Sequence, residues 1–194
     1  MLGHPPERAF AGPPVVLTRE KPTVVLTAVQ SGVGALTVEA ACSDSVGDLR
    51  LACAYELRSG VSSMVSVARG NRVAPANSRR PLILSGRGRY DTLTFDLRQS
   101  PDLRRVVVLA FSPSGATLSW GGALVIETVG GARVDVPLDR DPSGGVLVAL
   151  SVYNVGGQLV LRSERQLVPG TLRDACLAFG FERITWVDPF TPLT

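Results

Sequence analysis

An all-β, antiparallel two-sheet β-sandwich with a short C-terminal helix is the fold class this sequence predicts. Three observations predict it. Apolar and β-branched residues recur at period two through most of the chain, the spacing of strands with one buried face. Turns carrying Gly or Pro separate about ten such runs, the pattern of a sandwich built from short strands. Clear helical spacing appears only from Thr171 to Phe179, late in the chain.

Val15 to Thr18 and Thr23 to Thr27 are short β-branched runs with a turn at Lys21-Pro22. From Ala35 to Ala41, Leu36, Val38 and Ala40 share one face and Thr37 and Glu39 the other. Leu49 to Leu57 alternates likewise, with Leu49, Leu51, Cys53, Tyr55 and Leu57 opposite Arg50, Ala52, Ala54 and Glu56. Ser63 to Ala68 continues the pattern, and regularity then fails between Arg69 and Arg89 apart from Leu82-Ile83-Leu84. Thr92 to Leu97 alternates through Leu93, Phe95 and Leu97. Val106 to Phe111 is continuously apolar, as a strand buried on both faces requires. Leu124 to Val129 and Arg133 to Val136 flank Gly130-Gly131, and Val146 to Val155 and Gln158 to Glu164 flank Gly156-Gly157. Both pairs read as hairpins. Leu172, Ala175, Cys176 and Phe179 then mark a helix that Gly180 stops.

A chain of 194 residues suits one domain. Residues 1–13 read as a flexible Pro-rich tail, 14–188 as the sandwich and 189–194 as a C-terminal tail. The apolar share of 45% and charged share of 19% exclude disorder. No apolar run reaches the ~18 residues of a membrane span, and the N-terminal stretch lacks the apolar core of a signal peptide. Cys42, Cys53 and Cys176 form no C-x-x-C pair and sit among apolar neighbours, which points to buried free thiols in a reducing cytoplasm. His4 is the only histidine, in the tail, so a Ser-His-Asp triad or a His-ligated zinc site has no candidate. Cys53 reads as a core residue rather than a nucleophile. No Gly-rich phosphate loop opens a helix. Trp120 and Trp186 stand open as either core or exposed contacts.

Between Arg58 and Tyr90 the chain carries Arg58, Arg69, Arg72, Arg79, Arg80, Arg87 and Arg89 with no lysine and no acid. The formal net charge is only +3, so the positive charge is local. Lys21 is the single lysine among 20 basic residues, a bias that a GC-rich genome also produces. One reading is a solvated surface loop. The other is a site for an anion or an acidic partner, because guanidinium forks bind carboxylate and phosphate in bidentate fashion. Single-stranded nucleic acid is disfavoured, since only Tyr90 is near for stacking.

The order of the pieces resembles a known family. Asp48-Leu49-Arg50-Leu51-Ala52-Cys53-Ala54-Tyr55-Glu56-Leu57 is similar to the D-L-D-L-x-A-x-Y-E-L segment of the TerD family of tellurium-resistance and stress-response proteins. It follows Val15 to Val29, which looks like that family's opening strand pair. Pro81 to Gly86, Thr92 to Leu97, Val106 to Phe111, Val148 to Arg162 and the Gly170 to Gly180 helix follow in the family's order. The resemblance covers roughly residues 14–188. It implies a bacterial calcium-binding β-sandwich with no established reaction. Asp48 matches the first of the family's metal-binding acids, but Arg50 stands at the second. Ser85-Gly86-Arg87-Gly88-Arg89 replaces a later acidic cluster, with Asp91 only nearby. Calcium takes about 6–8 oxygen ligands. A like charge at ~4 Å costs about 4 kcal/mol at an effective dielectric near 20. A degenerate metal site at Asp48 and Asp91 is therefore expected. Asp139 to Gly145 could be a fragment of a calcium loop but reads better as a hairpin connector.

These readings converge on a non-enzymatic, TerD-like stress-response module. It docks on a protein partner or self-associates, with Arg69, Arg72, Arg79, Arg80, Arg87 and Arg89 as the partner or anion site and no cofactor. The alternative is a calcium-binding, tellurite-resistance protein that retains the family's metal site.

Overall fold

The computed structural model describes residues 13–193. The expected tail, 1–13, and His4 thus lie outside the described residues, Pro13 excepted. In chain order the elements are β1 (Val15–Val16), β2 (Thr23–Val25), α1 (Ala28–Gly32), β3 (Ala35–Ala41), β4 (Arg50–Leu57), β5 (Ser62–Ser66), β6 (Val73–Ala74) and β7 (Ile83–Arg87). Next come β8 (Asp91–Asp96), β9 (Leu103–Phe111), β10 (Ala123–Thr128), β11 (Arg133–Pro137), β12 (Val146–Val155) and β13 (Gln158–Val168). Helix α2 (Leu172–Ala178) and a hairpin of β14 (Trp186–Asp188) and β15 (Thr191–Pro192) end the fold.

Two large sheets carry the architecture. One has seven strands in the order β1-β11-β10-β3-β8-β7-β6, the other six in the order β2-β13-β12-β9-β4-β5. Pairing is antiparallel except between β1 and β11. The predicted sandwich is the observed fold. Leu36, Val38, Leu93, Phe95 and Ile126 of the first sheet meet Leu51, Cys53, Tyr55, Val106, Val108 and Leu161 of the second in the inner core.

The outer face of the six-stranded sheet is buried too. Ala52, Ala54, Val107, Leu109, Phe111, Val146 and Val148 pack there beneath Leu172, Ala175, Cys176, Phe181 and Ile184. This second core explains why β9 is apolar without alternation: its odd and even positions enter different cores. It also explains why Ala52 and Ala54, on the face of β4 opposite Leu51 and Cys53, have no solvent exposure. Leu172 follows a reciprocal cap, in which the Thr171 hydroxyl accepts from Asp174 N and Asp174 accepts from Thr171 N.

Both Gly-Gly hairpins form as expected. Gly156 and Gly157 have φ of 59° and 84°, the left-handed pair that a two-residue turn between twisted strands demands. Trp120 belongs to the inner core and donates to Ser143 Oγ at 2.8 Å, while Trp186 is half-buried against the outer one.

Five expectations need correction. Val15 to Val29 is not a strand pair: β1 joins the seven-stranded sheet and β2 the six-stranded one. The turn between them, closed by Thr18 N to Lys21 O at 3.1 Å, carries the chain from layer to layer. Ala28–Gly32 is a second helix, too short to show a period, though Thr27 and Gln30 form a capping box. Residues 69–89 are not all irregular, since β6 and β7 pair within them and β7 pairs β8. Asp139 to Gly145 links β11 to β12, which lie in different sheets, so it is a crossover and not a hairpin connector. Finally, a boundary at 188 cuts through the β14–β15 hairpin.

Candidate functional site

The arginine-rich stretch folds onto one edge of the seven-stranded sheet, where β6 is the last strand. Its arginines have different surroundings. Arg69 is half-buried. Its Nη2 donates to Pro113 O at 3.2 Å, its guanidinium lies 5.7 Å from the Phe190 ring centroid, and its Nε is buried without a partner. Arg69 thus pins the C-terminal hairpin to the β9–β10 loop. Arg89 is exposed and ion-paired with Asp44, its Nε donating to Oδ1 at 3.0 Å. Arg72, Arg79, Arg80 and Arg87 are exposed and make no ion pair among the described residues.

The fold divides those four. Arg79 and Arg80 occupy the β6–β7 turn, where Ser78 Oγ accepts from Arg80 N at 3.2 Å. Arg72 lies at the opposite end of the hairpin, its carbonyl accepting from Ser85 N at 2.7 Å, near Arg87 at the end of β7. At ~3.3 Å per residue along β7, the two pairs stand roughly 15–20 Å apart. Sequence proximity therefore produces two basic points on one edge, with the ion-paired Arg89 beside one of them.

Asp91 sits beneath the Arg72–Arg87 end. It is fully buried, and its Oδ2 accepts from Leu51 N of β4 at 3.2 Å. A carboxylate on one sheet thereby holds a backbone amide of the other. Its Oδ1 is buried with no donor. Burial raises the Asp91 pKa, opposed by the Leu51 amide and by Arg50, Arg87 and Arg72. Arg50, expected only as the replacement for a metal-binding acid, joins this basic group from β4 in the other sheet. Tyr90, buried beside it, donates to Ser43 O at 2.6 Å and is not available for stacking.

Asp48 precedes β4 at the same end. Its Oδ2 accepts from Ser114 Oγ at 2.7 Å and from Ser114 N at 3.3 Å, while Oδ1 is buried without a donor. Burial pushes its pKa up, but hydrogen bonds from Ser112 and Ser114 outweigh that and hold it below the usual value. Each of the two aspartates thus offers one uncommitted oxygen. No group of three or more His, Cys, Asp or Glu side chains gathers among the described residues. One uncommitted oxygen from each of Asp48 and Asp91, the latter in the field of Arg50, Arg87 and Arg72, falls short of the oxygen shell that calcium requires, so this donor set does not fit the ion.

Other reactive side chains are committed to packing. Burial pushes the Cys176 thiol up to about 12 and the Cys53 thiol well above its usual range, so neither is a thiolate at neutral pH. Cys42 is half-buried and also raised by burial. Among the described residues no helix is long and apolar enough to cross a membrane. No family model, no curated protein and no solved structure matches this chain.

Proposed function

We propose that this chain is a non-enzymatic binding module of the reducing cytoplasm that docks an acidic protein partner along the β6–β7 edge. The observation that carries the reading is the set of four exposed arginines, Arg72, Arg79, Arg80 and Arg87, that make no ion pair among the described residues. Two basic points separated by a short strand suit an extended acidic segment better than one small anion. The strand β6 is only two residues long, so side-chain charge rather than backbone addition supplies most of the contact. The collinear likeness to TerD proteins supports a stress-response role on a sandwich scaffold.

Pull-down from native lysate, repeated with Arg79→Glu/Arg80→Glu and with Arg72→Glu/Arg87→Glu, tests the reading. Each reversal is expected to abolish recovery of the partner, and the wild-type complex is expected to weaken steeply with salt. Unchanged recovery by both variants would refute it.

A calcium-regulated stress protein is the second reading, favoured by the orphaned oxygens of Asp48 and Asp91. Calorimetric titration to millimolar calcium decides it. The donor set leads us to expect no saturable heat and no rise in Tm.

A further inference from the structure

The outer face of the six-stranded sheet lies under α2 and the segment after it. The outer face of the seven-stranded sheet instead keeps a groove of about 420 Å³ open to solvent at one end. Leu84 of β7, Thr94 and Asp96 of β8, Ala35 of β3 and Val129 just after β10 line it, with Pro81 from the β6–β7 turn. We propose that this groove seats an apolar side chain of the acidic partner segment whose carboxylates meet Arg79 and Arg80. The inference rests on the docking reading above and adds the anchor that charge alone does not supply.

Three features carry the assignment. First, the aliphatic wall is in water. Leu84 pairs with Thr94 on the face opposite Ile83, Leu93 and Phe95, which enter the inner core. Leu84 is 45% exposed and Val129 58%. Val129 N donates to Ala35 O at 3.1 Å, and Gly34 leaves room for its side chain, since a Cβ there would meet Val129 Cβ at 2.7 Å. Second, the rim is cationic. Arg80 is bonded to Pro81, so the exposed Arg79 and Arg80 stand at the mouth of the groove. The carboxylate that lines it is already neutralised: Asp96 Oδ1 accepts from Arg98 Nε at 2.9 Å, and Oδ2 accepts from Arg98 Nη2 and Gln99 Nε2, each at 3.0 Å. An incoming acid therefore meets no uncompensated negative charge there. Third, the rest of the face points the acidic segment toward that turn. Along β3, beyond Thr37, Glu39 is exposed and makes no ion pair among the described residues. Glu127, which faces Thr37, stands 3.7 Å from Arg133. Carboxylates are thus attracted at the β6–β7 end and repelled farther along β3.

A purely acidic segment would leave Leu84 and Val129 in water, and a neutral apolar one would leave Arg79 and Arg80 without partners. An apolar residue flanked by acids satisfies both, the arrangement of a buried anchor inside a polar rim. Fluorescence anisotropy on the full chain tests this with two labelled hexapeptides of equal charge. One carries Leu-Phe between two pairs of acids, and the other carries Ser-Ser in that place. The Leu-Phe peptide is expected to bind about tenfold or more tightly than the Ser-Ser peptide. Leu84→Thr/Val129→Thr should remove that advantage and leave the Ser-Ser peptide unchanged. Threonine keeps the strand preference at these exposed positions, so an unchanged Tm separates lost binding from lost folding. Val187→Thr, at a valine 65% exposed in β14, should bind both peptides like wild type. No binding of the Leu-Phe peptide, equal affinity for the two peptides, or a Leu84→Thr/Val129→Thr variant that binds like wild type would overturn the anchor. Arg79→Glu/Arg80→Glu should weaken both peptides. If it does while the peptides bind equally well to wild type, the groove fails and the docking reading survives; if it leaves both untouched, the docking reading fails and takes the groove's acidic partner with it.

Discussion

Glu56 and Asp91 are both buried carboxylates, yet their surroundings drive them in opposite directions. Glu56 Oε2 accepts from Arg105 Nε and its Oε1 from Arg104 Nη1, each at 2.8 Å. Hydrogen bonding from Arg105 first, and the charges of Arg105 and Arg104 as well, hold its pKa below the usual value despite burial. Its folded pKa is depressed, so its stabilisation is present above the reference value of 4.5 and is lost as pH falls through the folded pKa. Glu56→Gln is expected to cost about 1–3 kcal/mol at pH 7, toward the low end because Arg104 stays largely in water. That cost should shrink in acid. Asp91 has the opposite sign. Its folded pKa is raised, so its contribution is full below the reference value of 3.8 and declines as pH rises through the folded value. Asp91→Asn keeps an acceptor for Leu51 N and should remove that decline, with a change at pH 7 within about 1–3 kcal/mol, the scale of one uncompensated buried polar atom. Tm against pH for the two variants checks both signs in one experiment. The types of these residues were visible in sequence, but their states were not. Glu56 lies on the face of β4 opposite Tyr55, and Arg104, Arg105 and the segment after α2 cover that face.

At the scale of elements, legibility followed length and local chemistry. Strand β3 and the two Gly-Gly hairpins were read correctly because register and turn residues lie within a few positions of each other. Helix α2 was read from Leu172, Ala175, Cys176 and Phe179; the first three are buried against the six-stranded sheet, and Phe179 is the C-cap, half-buried against the same core. Its Thr171 cap is expected to contribute about 1 kcal/mol. Thr171→Ala should therefore lower Tm by about 2–4 °C for a domain of this size, which a thermal melt will show. Helix α1 escaped because five residues span little more than one turn. Strand β6 and the part of β7 beyond Leu84 escaped for a different reason: Gly86 and two flanking arginine-rich turns dilute the alternation, and pairing with β8 supplies what propensity lacks. The division of the arginines into two points on one edge follows from that pairing. A contiguous run in sequence became a separated pair of contacts because a strand runs between them.

Across the whole molecule, the fold rests on contacts between segments far apart in sequence. The six-stranded sheet sets β4 beside β9 and β9 beside β12, and β2 returns to the far edge against β13. The inner core closes from both sheets, and the outer core closes only when α2 and the residues after it return over β4, β9 and β12. Composition, the two-residue period and the turn glycines by themselves determined that this chain is a β-sandwich with one late helix, because those signals act within a few residues. The tertiary structure alone decided which arginines are free, that Asp91 ties one sheet to the other, and that Pro81, Leu84 and Val129 meet at one groove. Charge and burial at a point depend on what the rest of the chain brings there, and that information is nonlocal.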